Sequence, residues 1–75
     1  MATPKQVFET TLKFGRHVRA FAVFALPDGW VAFEEGDRHV VRTRLNDWHK
    51  VERTLSRFKD EIEGLRDAGW REAHA

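Results

Sequence analysis

The 75-residue chain contains no cysteine, so it forms neither a disulfide nor a thiolate metal site. It has no run approaching the roughly 18 apolar residues of a membrane span, and residues 1–6 lack the apolar run of a signal peptide. Neither sign of charge dominates: 13 basic and 12 acidic residues leave a net charge of +1, which argues against a strongly basic nucleic-acid binder. These absences predict a cytoplasmic protein without a membrane segment.

Residue patterns for catalysis are also lacking. No HExxH pair, GxSxG elbow, GxGxxG loop or P-loop is present. His17 and His39 fall on opposite sides of the sheet predicted below, so the histidines do not converge. Glu34, Glu35 and Asp37 gather at a hairpin tip, where acids are usually solvated and where a metal would need more oxygen ligands. We therefore expect no enzyme activity, no catalytic residue, no bound metal and no cofactor.

The strongest pattern is an apolar stripe in the last third of the chain. Its members recur at spacings of three and four residues, which places them on one face of a helix: Trp48, Val51, Leu55, Phe58, Ile62 and Leu65. Asn46 offers an N-cap, and Asp47 then places an acid in the first turn. Gly69 suits the left-handed position after the helix, which makes Trp70 the partner of Leu65 in a Schellman ending.

Three segments before the helix predict strands: 17–26, 30–35 and 39–45. The Pro-Asp-Gly sequence after the first strand suits a three-residue hairpin loop, which sets Leu26 opposite Trp30. The second turn, at 36–37, sets Glu35 opposite Arg38, a favourable charge pair. The sequence therefore predicts an antiparallel meander that leads directly into the helix.

Segment 7–14 has two alternatives. Thr3, Pro4 and Gln6 resemble a capping box with proline at the first helical position, which suits a short helix ending at Gly15. Alternation of apolar and polar residues instead suits a strand that turns into the next strand. We favour the strand, which gives a sheet of three or four strands.

The predicted register gives the sheet two apolar sides. The side assigned to the helix carries Val18, Ala20, Ala22, Phe24, Leu26, Trp30, Ala32, Val41 and Leu45. The second side carries His17, Arg19, Phe21, Val23, Ala25, Val31, Phe33, Arg38, Val40, Arg42 and Arg44. One helix covers only one side, so we expect segment 7–14 to fold over the other side or to extend the sheet, or a second copy of the chain or another partner to cover that side.

The fold prediction is one α+β domain spanning residues 1–75, with residues 1–6 and 71–75 frayed. It consists of a three- or four-stranded antiparallel β-meander followed by one long C-terminal amphipathic helix packed on the sheet. Such architectures host many unrelated roles, so the fold alone assigns no function.

The functional prediction is a small interaction or oligomerisation domain that forms a homodimer. The helix is basic in its first half and acidic in its second, which an antiparallel neighbouring helix would compensate. The candidate interface consists of Arg19, Phe21, Val31, Phe33, Arg38, Val40, Arg42 and Arg44. The alternative is a single-stranded nucleic acid, with Phe21 and Phe33 stacking on bases and the arginines binding phosphates. A larger protein is the third partner considered.

Overall fold

The structure, a computed structural model, describes residues 4–73; residues 1–3 and 74–75, parts of the ends predicted to be frayed, lie outside the described residues. Its elements are β1 (Lys5–Phe14), β2 (His17–Leu26), β3 (Gly29–Glu35), β4 (Val40–Leu45), α1 (Trp48–Asp67) and β5 (Arg71–Glu72). The strands form one antiparallel sheet in the order β4-β3-β2-β1-β5. The predicted antiparallel sheet followed by one C-terminal helix is confirmed, with four long strands and one short strand instead of three or four.

Segment 7–14 belongs to β1, so the strand alternative is confirmed and the helical alternative is wrong. The strand begins at Lys5 and turns into β2 at Gly15–Arg16. Alternation directs Phe8 and Leu12 to the side that faces α1, where Leu12 is fully buried. Burial of Leu12 in the core, with Phe8 packed against it, favours the extended conformation over a local capping box.

The end of the chain returns to the sheet. Arg71–Glu72 pairs with β1, and the Ala73 backbone N–H donates to the Thr11 carbonyl oxygen (N···O 2.9 Å). The prediction of frayed ends at 1–6 and 71–75 therefore needs correction, because both ranges include paired strand residues. Two paired residues carry too weak a local pattern to be recognised as a strand from sequence.

The N-terminus of α1 lies one residue later than predicted. Asp47, not Asn46, is the N-cap, because its carboxylate accepts the Lys50 backbone N–H (N···Oδ1 3.0 Å). The Asn46 side chain instead accepts from the Lys50 ammonium (Nζ···Oδ1 3.0 Å). Both residue types are good caps, and an ionised carboxylate is the stronger acceptor next to the helix dipole.

The C-terminus of α1 confirms the predicted Schellman ending. Gly69 has a φ of +104°, and its N–H donates to the Arg66 carbonyl oxygen at 3.0 Å. The Trp70 N–H donates to the Leu65 carbonyl oxygen at 2.9 Å. The turn directs Trp70 onto Phe14, with ring centroids 5.7 Å apart, and so starts the return to the sheet.

The β2–β3 hairpin is one residue tighter than predicted. Gly29 pairs with Leu26, so only two residues form the loop and Trp30 lies opposite Ala25 rather than Leu26. Gly29 is required here, because it has a φ of +149° and a Cβ would lie 2.8 Å from the Leu45 carbonyl oxygen. The one-residue shift exchanges the two sides of β2 relative to β3.

The β3–β4 hairpin also differs from the prediction. Glu35 pairs with Val40, not Arg38, and Phe33 pairs with Arg42, so residues 36–39 form the connection. The shift is two residues, which leaves every β4 side chain on its predicted side.

The core lies between α1 and one side of the sheet, and both the helical stripe and β2 contribute to it. The buried cluster is Leu12, Phe21, Val23, Ala32, Leu45, Val51, Phe58 and Ile62. Phe21 and Phe58 are its two largest fully buried side chains, with ring centroids 5.1 Å apart. Trp48, at the start of the stripe, is half-exposed and packs on Trp30 at 5.7 Å.

Replacing Phe58 with alanine should reduce the free energy of unfolding by about 3–5 kcal/mol, because the ring is 1% exposed and its removal leaves a cavity. Urea unfolding followed by circular dichroism measures the change. Phe14→Ala, the same truncation at a ring that is 48% exposed, is the matched control and should cost clearly less. Equal losses in the two variants would contradict the observed position of α1.

Candidate functional site

The side of the sheet opposite α1, called the open face, is the candidate site. Alternation along the observed register places on it Ala20, Ala22, Phe24, Leu26, Val31, Phe33, Val40, Arg42 and Arg44, with Glu9, Thr11 and Lys13 from β1 and Glu35 from β3. The helix α1 packs on the opposite side of the sheet, against Leu12, Phe21 and Val23. Val40 is 59% exposed, so a large apolar side chain faces solvent there.

The open face contains an apolar concavity of about 590 Å³. Its lining is Pro4, Phe24, Leu26, Val31, Phe33, Arg42 and Arg44. The Phe24 and Phe33 rings meet edge to face at its floor, with centroids 5.8 Å apart. An apolar floor with guanidinium groups at one rim is suited to binding another protein surface or an anionic, partly apolar ligand.

The structure brings together five of the eight residues predicted for the site: Val31, Phe33, Val40, Arg42 and Arg44. Arg38 is exposed in the loop after β3 rather than paired in the sheet. Arg19 and Phe21 lie on the helix side, and the prediction that they share this surface is wrong because the β2–β3 loop is shorter than expected. Phe24 and Leu26 take their place.

Arg19 belongs instead to an ion-pair cluster that links α1 to the sheet. Its guanidinium lies 3.5 Å from Glu34 and 3.2 Å from Glu61, and Arg57 bridges the same two carboxylates at 3.5 and 3.9 Å. Arg19 also lies 5.2 Å from the centroid of the Phe21 ring. Partial burial, followed by the neighbouring Glu34 charge, raises the pKa of Glu61. Each of these charges has a partner within the chain.

The charges of the open face are arranged differently. Four of them are exposed and form no ion pair with any other residue between 4 and 73: Glu9, Lys13, Glu35 and Arg42. Arg44 lies 3.1 Å from Asp28, in an exposed pair at the rim. The open face therefore combines apolar side chains with charges that have no partner in the described chain.

Asp37 fixes the loop after β3 to the start of β2. Its carboxylate binds the His17 ring (Nδ1···Oδ2 2.5 Å) and accepts the Val18 backbone N–H (N···Oδ1 2.9 Å). The His17 hydrogen bond, followed by the Val18 hydrogen bond, lowers the pKa of Asp37. Within residues 4–73, no cluster of three or more His, Asp or Glu side chains is placed to hold a metal ion.

Comparison of the chain with protein-family models, with curated proteins and with solved structures finds no match. The one helix of the described chain, α1, is not apolar enough to cross a membrane.

Asp37→Asn should lower stability at neutral pH and should weaken the acid dependence of unfolding. A carboxyl with a lowered pKa in the folded state stabilises the fold above its ordinary pKa of about 3.8, and this contribution is lost as pH falls through the lower folded-state pKa. The difference in the free energy of unfolding between the wild type and Asp37→Asn should therefore disappear in strong acid, as measured by urea unfolding across a pH series. Asp60→Asn, at an exposed helix position, controls for the change in net charge. A pH-independent difference between wild type and Asp37→Asn would contradict the assignment.

Proposed function

We propose that this chain is a small, non-catalytic self-association domain whose homodimer interface is the open face. The observation that carries the proposal is that α1 covers one side of the sheet, while the other side exposes an apolar concavity and Val40. Apolar side chains on both sides of a thin sheet need two covering layers, and the described chain supplies one. A cytoplasmic location, consistent with a chain that has no cysteine, is part of this proposal.

The free energy available from covering the open face is large for a chain of this size. At about 25 cal/mol per Å² of apolar surface, covering a few hundred Å² contributes several kcal/mol. The whole stability of a small domain is roughly 5–15 kcal/mol. Val31 and Ala22 are only 7% and 9% exposed, so this gain comes mainly from Val40 and from the partly exposed Phe24, Leu26 and Phe33. It must also offset the entropy lost on association.

The open face is a better interface than the helix. The apolar stripe of α1 packs on its own sheet, so no apolar seam remains on it for a neighbouring helix. Arg57 and Glu61, which would pair across antiparallel helices, bind charges within the chain. The charge separation along α1 is thus partly satisfied without a second helix.

Single-stranded nucleic acid is the second candidate ligand, because Arg42 and Arg44 lie beside the Phe24 and Phe33 rings. Two observations weigh against it. Phe21 is fully buried and does not stack on a base, and the +1 net charge gives little general attraction to phosphates. Self-association uses the same apolar side chains and needs no excess of positive charge.

Phe33→Arg should convert the dimer into a folded monomer, because it places a charge in the centre of the proposed interface. Sedimentation equilibrium at tens of micromolar protein measures the mass, and circular dichroism verifies the fold. Ser56→Arg, which adds the same side chain to an exposed position on α1, should remain dimeric. A wild-type chain that sediments as a monomer at these concentrations would refute the proposed function.

Labelled single-stranded DNA or RNA should bind weakly, as measured by fluorescence anisotropy across a salt series. The double variant Arg42→Ala/Arg44→Ala should lose only as much affinity for nucleic acid as the removal of any two positive charges causes. The control for that general effect is the double variant Arg53→Ala/Arg66→Ala on α1, which should show the same loss. Tight binding that falls steeply with salt and depends specifically on the β4 arginines would establish the nucleic-acid alternative instead.

A further inference from the structure

One row of side chains runs across the four long strands on the open face. From β4 to β1 it consists of a basic residue, a large apolar residue, a small apolar residue and an acidic residue. The register pairs Arg42 with Phe33, Phe33 with Ala22, and Ala22 with Glu9. The row therefore places a positive charge on β4 and a negative charge on β1, with a large and a small apolar side chain between them. If the same row of a second copy runs in the opposite direction across it, the positive end of each row faces the negative end of the other, and the large side chain of each faces the small one.

The next row has the same directional character. It runs from Arg44 on β4 through Val31 and Phe24 to Gln6 on β1. Reversal of this row sets a guanidinium over an amide oxygen, and it sets Val31 over the Phe24 ring. Both rows thus place their basic residue on β4 and an acceptor on β1.

Two copies of the chain can form a two-fold symmetric dimer through this surface in different ways, and these differ in which charged residues they bring together. An axis perpendicular to the strands would set β4 over β4 and bring the Arg42 and Arg44 guanidiniums of the two copies together. Edge-to-edge pairing of β4 strands would likewise set these arginines on neighbouring strands, where like charges destabilise. An axis parallel to the strands sets β4 over β1, so that Arg42 meets Glu9. Lys13, the basic residue of β1 on this face, lies two rows from that pair.

We propose that two copies pack face to face about a two-fold axis parallel to their strands, with Arg42 of each copy paired to the partner's Glu9. The inference rests on the proposed self-association and specifies its geometry. Phe33 then lies over the partner's Ala22, which leaves room for the ring in a closely packed layer. Arg42 and Glu9, two of the four unpaired charges of the open face, each gain a partner in this arrangement.

The distances expected of packed sheets allow these contacts. Two face-to-face sheets lie about 10 Å apart, a gap that an extended arginine and an extended glutamate span together. Packed sheets are usually rotated by about 30°, which displaces facing residues near the rims by a few ångströms. That displacement is within the reach of the flexible arginine side chain, and it leaves the central layer in register.

A charge exchange tests the geometry. Glu9→Arg and Arg42→Glu each replace two attractive pairs by two repulsive ones and should raise the dimer dissociation constant about tenfold or more. The double variant restores the pairs in reverse and should return the constant to within a few fold of wild type. Sedimentation velocity across a concentration series measures the constants, with circular dichroism as the test of folding. The matched controls, Glu63→Arg and Arg53→Glu, make the same charge changes at exposed positions on α1 and should leave the constant unchanged.

The outcomes separate this geometry from the proposed function. A monomeric wild type would overturn both. A dimer that Phe33→Arg disrupts but the single charge variants leave intact would overturn the arrangement and leave self-association standing. Weakening by both single variants without recovery in the double variant would also overturn it, because the two residues would then act separately.

Discussion

The packing of the Phe58 ring against the Phe21 ring is the contact on which the arrangement of the molecule depends. Both rings are fully buried, and they join the middle of α1 to the middle of the sheet. Because the helix has one apolar stripe and the sheet has two apolar sides, this contact also determines which side is left uncovered. The ion pairs of Arg19 and Arg57 with Glu34 and Glu61 lie beside it and hold the helix in the same position.

Much of the fold could be predicted because its signals are local. The three-four spacing of the stripe predicts α1, and the Leu65, Gly69 and Trp70 positions predict how it ends. The predicted sides of β3 and β4 agree with the structure, so the sequence pattern is sufficient to place Val31, Phe33 and Arg42 on one surface. The predicted N-cap lies one residue before the observed one, because two adjacent side chains are both capable caps.

The sides of β2 could not be determined from local pattern. This strand is apolar in both of its alternating sets, with Phe21 and Val23 in one and Phe24 and Leu26 in the other, so hydrophobicity does not choose between them. The choice depends on whether Gly29 belongs to the loop or to the strand, and its close approach to Leu45 places it in the strand. Because the turn is one residue shorter than predicted, the observed site contains Phe24 where the predicted site had Phe21, and it does not contain Arg19.

The pairing of Leu12 with Glu72 joins the first strand to the last few described residues. During synthesis on the ribosome, β1 emerges long before β5. The edge of β1 that pairs with β5 therefore stays unpaired until α1 has been completed and the chain has reversed at Gly69. Pairing β5 with β1 closes a long loop, which costs chain entropy, and the two-residue strand forms few hydrogen bonds to offset that cost. We therefore expect the β1–β5 pairing to form late in folding. The order of elements along the chain thus leaves one edge of the nascent sheet unpaired until residues 71–72 have emerged.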